Sequence, residues 1–118
     1  MTIASRDAFL GANKRRFRDV VLPVSGLTVR VRSLTEWELS EFQQANYDKN
    51  GNRLKGRLVD SKARLITLST VNESGEPLFL PGDEQAILDI DSADTTYLWD
   101  QIWEHLGGAK PIEETAKN

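Results

Sequence analysis

The stretch FRDVVLPVSGLTVRVRSLTEWELSEFQ, residues 17–43, reads as two strands, a turn and a capped helix, and this reading decides the fold. From Leu27 to Arg32 apolar and polar residues alternate. Leu27, Val29 and Val31 face one way and Thr28, Arg30 and Arg32 the other, the two-residue period of a strand with one face in water. Arg16 to Leu22 supplies the strand it pairs with. Between them PVSG places Pro23 at the first corner, where its fixed φ already suits a turn, and Gly26 where φ can be positive. The helix that follows has a well-marked start. Thr35 can accept from the amide of Glu38 while the Glu38 carboxylate reaches back, a capping box, and Leu34 with Leu39 completes a hydrophobic staple. Ser33 with Glu36 is a second possible box, but Arg32 cannot staple it. The helix is expected to run to about Asn46.

Outward from this core the chain divides into an N-terminal arm (residues 1–15), one α+β domain (16–108) and a tail (109–118). The arm is polar apart from Phe9 and Leu10 and is expected to be flexible or to form a short helix. After the first helix, NYDKNGNRLKG resembles part of a calcium loop, since Asp48, Asn50 and Gly51 have the right local spacing. With Asn46 as the first position, however, the twelfth is Arg57, where a bidentate Glu is required, so the loop is read as an ordinary turn. Arg57 to Ser69 fits a second helix, with Leu58, Val59, Leu65, Ile66 and Leu68 over a broad arc; the β-branched residues near its end allow a strand to begin near Thr70. NESGEP is a turn, LFL a short strand, and Asp83 the N-cap of a short helix through Ile90. A last helix, about Ala93 to Leu106, stops at Gly107 and Gly108, which suit a C-cap. The tail AKPIEETAKN has no periodicity and is expected to be disordered. The fold is thus an antiparallel hairpin packed on a small bundle of about four helices.

A chain of 118 residues can bury a modest core without cross-links, and it has no Cys, which removes disulfides and thiolate metal sites. No apolar run approaches the ~20 residues of a membrane span, and the first residues lack the apolar stretch of a signal peptide, so a cytoplasmic protein is expected. The net charge of −3 conceals a split: residues 1–64 hold 13 basic and 7 acidic side chains, a balance of +6, and residues 65–118 hold 2 and 11, a balance of −9. Such halves attract each other within one fold or between subunits added head to tail. Nucleic-acid binding is not expected of a domain that is acidic overall and lacks zinc-finger or RNA-recognition motifs.

The chemistry-bearing residues do not gather into an active site. The single His, His105, has no identifiable Ser, Cys or metal partner, the carboxylates are scattered over helix exteriors, and no Gly-rich phosphate loop occurs. Neither a catalytic residue, a metal ligand nor a cofactor is assigned. The candidates are surface residues. In the last helix Leu98, Trp99, Ile102, Trp103 and Leu106 form one stripe, with Asp94, Gln101, Glu104 and His105 opposite. That stripe closes the core, or presents Trp99 and Trp103, a turn apart, to a partner groove. Trp37 lies away from Leu39 and Phe42 on the helical wheel; it covers the hairpin or stays exposed as an interface anchor. Lys62, in the middle of an apolar arc, lays its stem on apolar surface with the ammonium in water, or pairs with an acid of the C-terminal half. A basic patch at Arg53, Lys55 and Arg57 and an acidic one at Asp89, Asp91 and Asp94 are the candidate complementary ends of a subunit.

A hairpin VVLPVSGLTVRVRSLTEWE, a basic loop, a second helix, the turn NESGEPLFLPGDEQAI and a final helix ending IWEHLGG together resemble the tail assembly chaperones of long-tailed bacteriophages. The resemblance covers about Arg16 to Gly108 and rests on structural punctuation. The matching residues Pro23, Gly26, Leu34, Glu38, Gly75 and Pro77 are expected to hold the fold and are not a binding site. It implies a non-enzymatic protein of the host cytoplasm, absent from the mature virion. Such a protein binds the tape measure protein, contacts the tail tube protein and often has a frameshift-extended form; self-association into oligomers or filaments is expected from the charge split instead. A structural tail or head–tail joining protein retained in the virion is the main alternative. A small nucleic-acid-binding regulatory domain is a further one, marked by steep salt dependence of DNA binding.

Overall fold

The structure, a computed structural model, describes residues 2–12, 14–52 and 57–107, and only the backbone of 57–59. The expected hairpin is present: β1 (Phe17–Val21) and β2 (Thr28–Arg32) pair antiparallel, Phe17 opposite Arg32 and Val21 opposite Thr28. The loop closes through the amide of Leu22 on Leu27 O and that of Gly26 on Leu22 O, with Gly26 at φ 73°. That value lies in the left-handed region that glycine enters without a Cβ penalty.

The alternation of β2 holds for Val29 and Val31 and fails at Leu27. The ladder ends at the Val21–Thr28 pair, and in the loop-closing pair Leu22 turns into the core while Leu27 stays in solvent.

Helix α1 (Arg6–Gly11) realises the helical alternative for the arm, and α2 (Glu36–Gln44) starts as the sequence requires. Thr35 Oγ1 accepts from the Glu38 amide at 3.1 Å and Glu38 Oε1 from the Thr35 amide at 2.9 Å, both halves of the capping box. Helix α3 (Arg57–Ser69) runs straight into β3 (Thr70–Val71), which adds to β2 and makes the sheet three-stranded in the order β1-β2-β3. At the junction Thr70 Oγ1 donates to Ile66 O, so the last turn keeps a hydrogen bond as the backbone extends.

LFL is not a strand. After the turn at Asn72–Glu76 only an isolated bridge joins Val71 to Pro77, because Pro77 and Pro81 bracket the segment and remove amides that a ladder needs. The next helix, α4 (Glu84–Ile87), is shorter than the sequence suggests. Asp83 occupies its N-cap position but spends its carboxylate on the Leu80 amide, outside the helix. Helix α5 (Ser92–Leu106) begins at Asp91, whose side chain accepts from the Ala93 amide, and ends at Gly107 with φ 76°.

The architecture is α+β, with α5 against the hairpin and α3 against α2, α4 and α5. Val20, Leu22 and Val31 of the hairpin meet Phe42, Leu65, Ile66, Ile87, Leu98, Trp99, Ile102 and Trp103 in one core, with Leu34 and Leu39 packed at its margin. Trp99 and Trp103 stand edge to face, centroids 5.7 Å apart, a favoured aromatic geometry. The tail from residue 108 lies outside the described residues.

Candidate partner-binding surfaces

The apolar stripe of α5 faces inward. Trp99 and Trp103 are both buried, so neither is available to a partner, and their assignment as partner-binding residues is corrected: the stripe closes the core. The Lys62 ammonium lies 6.0 Å from the centre of the Trp99 ring and 3.4 Å from Thr96 Oγ1. Arg53 and Lys55 lie outside the described residues, as does the side chain of Arg57, so the basic patch is not located.

The acidic patch loses a member. Asp89 and Asp91 are exposed, but Asp94, assigned to the polar side of α5, is 3 % exposed. Its two oxygens accept from the amides of Val24 (2.7 Å) and Ser25 (3.1 Å), the free donors of the hairpin loop. Burial pushes this carboxyl's pKa up, and the hydrogen bonds from Val24 and Ser25 outweigh it and hold the pKa below the ordinary value. Asp94 is therefore a clamp between the hairpin tip and the first turn of α5.

His105 is corrected in the same way. It is buried, with Nε2 3.3 Å from Arg16 O, while its own carbonyl accepts from Arg16 Nη1 at 2.8 Å. Burial lowers its pKa, and the nearby charges of Arg16 and Arg18 act in the same direction against the Arg16 carbonyl. Arg16 thereby caps the C-terminal end of α5, where a cation is favoured by the helix dipole. With Arg18 3.3 Å from Glu104, it shows that part of the charge split is satisfied inside the molecule.

Glu38 carries the entry to α2. It accepts two hydrogen bonds from Arg15, at 2.7 and 3.2 Å, and one from the Thr35 amide, with Arg32 3.9 Å away. The Arg15 bonds above all bring its pKa down to about 2. Because Arg15 also donates to Ser33 O, the end of the arm is tied to the strand and to the helix at one point.

Two of the apolar surfaces left in solvent involve α2. The first is Trp37, 71 % exposed, which resolves its two readings in favour of an unburied side chain. Val21, Val24 and Leu27 likewise leave the hairpin tip apolar. The second surface is a groove of about 500 Å³ between α2, the end of α3 and residues 77–84. Phe42, Leu68, Phe79 and Leu80 line it, and Glu41 and Glu84 stand at its side; Glu41 follows Trp37 by one turn of α2. The groove is absent from the sequence reading because LFL, taken as a strand, would have alternated its side chains. The two prolines flanking it were the available sign that it does not.

No protein-family model matches the chain, and searches of curated proteins and of solved structures return no match.

Proposed function

We propose that this protein is a tail assembly chaperone of a long-tailed phage, which binds the apolar tape measure protein in the host cytoplasm and helps to recruit tail tube subunits. The reading starts from the sequence resemblance. Its main structural support is the set of large apolar side chains held in solvent by a well-packed domain: Trp37 on α2, with Val21, Val24 and Leu27 on the hairpin tip. Aromatic and aliphatic groups exposed on a rigid support suit a client that is itself an apolar helix, because their burial drives association without further ordering of the chaperone. Their backbone positions are fixed by the punctuation that carries the resemblance, Pro23 and Gly26 in the loop and Leu34 and Glu38 at the cap.

The test is co-expression with the tape measure protein of the same phage. A soluble complex is expected, with the tape measure precipitating when expressed alone and the chaperone missing from purified particles by mass spectrometry. Absence of the complex, together with stable incorporation into finished particles, would favour a structural tail protein instead.

A further inference from the structure

Helix α1 lies on the outside of the protein, with every one of its residues exposed. Six residues are too few to hold a helix in water, because the costly nucleus is followed by too little propagation. Arg6–Gly11 is nevertheless formed and capped, Ser5 Oγ accepting from the Ala8 amide at 3.1 Å, and none of its residues is buried. Phe9 is 67 % exposed, and Leu10 and Ile3 are exposed with it. At about 100° per residue, Phe9 and Leu10 fall on either side of Arg6, so one face offers two apolar groups with a cation between them. The contact of Arg6 with neighbouring Asp7 is fully in water and holds it weakly.

The same chain carries a surface of matching chemistry. The floor of the groove is Phe42, Leu68 and Phe79, with Leu80 at its mouth, 73 % exposed. Its basic residues are already engaged, Arg32 Nε on Leu68 O and Arg64 Nη2 on Asn46 Oδ1. Of its carboxylates Glu38 is held by Arg15, whereas Glu41 and Glu84 form no ion pair among the described residues. The groove is thus apolar with unpaired negative charge beside it, and the α1 face is apolar with a cation at its centre.

We infer that α1 of one copy docks in the groove of a second copy, Phe9 and Leu10 on the apolar floor and Arg6 toward Glu41 and Glu84. The occupant is a neighbour's arm because no α1 residue lines the groove of its own chain, whereas the charge and apolar pattern of the α1 face match those of the groove. Arm and groove are different surfaces, so the contact is heterologous: each subunit gives an arm and receives one, and an open helical array follows unless the rotation closes a ring. This inference does not depend on the phage reading.

Sedimentation velocity on the full chain over a concentration series, with circular dichroism on each variant, tests it. Wild type is expected to form oligomers. Phe9→Asp with Leu10→Asp removes the arm's anchors, and Leu80→Asp spoils the groove at an exposed position. Each is expected to weaken association roughly tenfold or more, since a buried Leu or Phe contributes more than one decade in the binding constant. An equimolar mixture of the two variants is expected to stop at a heterodimer, because one intact arm and one intact groove remain. Arg6→Glu, a surface change that spares the core, is expected to weaken assembly, and Glu41→Lys with Glu84→Lys to restore it. A wild type that is monomeric at every concentration, arm and groove variants that assemble like wild type, or a mixture that does not pair would each overturn the proposal.

Discussion

At the scale of single residues, Asp94 and His105 show how far a side chain's role depends on what lies across from it. Asp94 binds two amides of a loop 69 and 70 residues earlier in the chain. Asp94→Asn keeps one acceptor and turns an NH2 group toward an amide donor, so a melting temperature lower by several degrees is expected, with a larger loss for Asp94→Ala, which leaves both amides unpaired. His105, the single histidine of the chain, reports its own burial. Its pKa is lowered on folding, so the unfolded chain binds its proton first as pH falls. The stability tied to the neutral ring is complete above the ordinary value of 6.5 and is lost as pH drops toward the folded pKa. A proton NMR titration of its single imidazole is expected to give a midpoint below 6.5; a midpoint at or above that value would overturn the dominance of burial over the hydrogen bond to Arg16 O.

At the scale of elements, the start of α2 has the most direct local cause. Thr35 and Glu38 satisfy each other's backbone amides, and Glu38 adds the bond to Arg15 that ties in the arm. Thr35→Ala is expected to cost about 1 kcal/mol in a denaturant titration, the usual effect of removing a cap. The acid limb of stability belongs to the same cap. Glu38 is displaced from 4.5 to about 2, so its contribution is fully present above the ordinary pKa and disappears as pH falls through that interval. Glu38→Gln should flatten this part of the pH profile, and an unchanged profile would assign the acid sensitivity to other carboxylates. The two tryptophans of α5 and the one of α2 differ in kind. Trp99→Ala opens the core and is expected to cost about 3–5 kcal/mol, whereas Trp37→Ala is expected to stay within about 0.5 kcal/mol.

For the whole molecule, the charge split has an internal and an external share. Arg16 on the end of α5 and Arg18 on Glu104 draw the basic N-terminal part onto the acidic C-terminal part. Asp89 and Asp91 remain exposed, as do Arg6 and Glu41, so a dipolar surface is left for neighbours. Exposed pairs are individually worth about 0–1 kcal/mol, and they orient an encounter more than they hold it. Oligomers are therefore expected at low salt and are expected to shrink as ionic strength rises, with Trp37→Ala weakening them while the protomer stays folded. Light scattering over a salt series checks both effects. Insensitivity to salt would leave apolar contact as the dominant force between subunits.

The sequence by itself determined whatever is encoded within a few residues. The hairpin followed from alternation and PVSG, the start of α2 from the Thr35–Glu38 box, the end of α5 from Gly107, and the core stripe of α5 from helical spacing. In each case the physical cause is short-range: a turn's φ, a capping bond three residues long, or side chains one turn apart. Tertiary structure decided what periodicity cannot express. Asp94 and His105 read as exposed on the wheel of α5, yet the hairpin covers that side of the helix and supplies the amides and carbonyl that make their burial tolerable. Leu27 reads as core, yet it lies past the last rung of the ladder, where Leu22 has taken the inward place. Trp37 had two readings because nothing near it in sequence says whether another element covers it. The groove is the clearest case: its walls come from α2, α3 and a proline-bracketed segment distant in the chain, and only their packing brings Phe42, Leu68 and Phe79 to one surface.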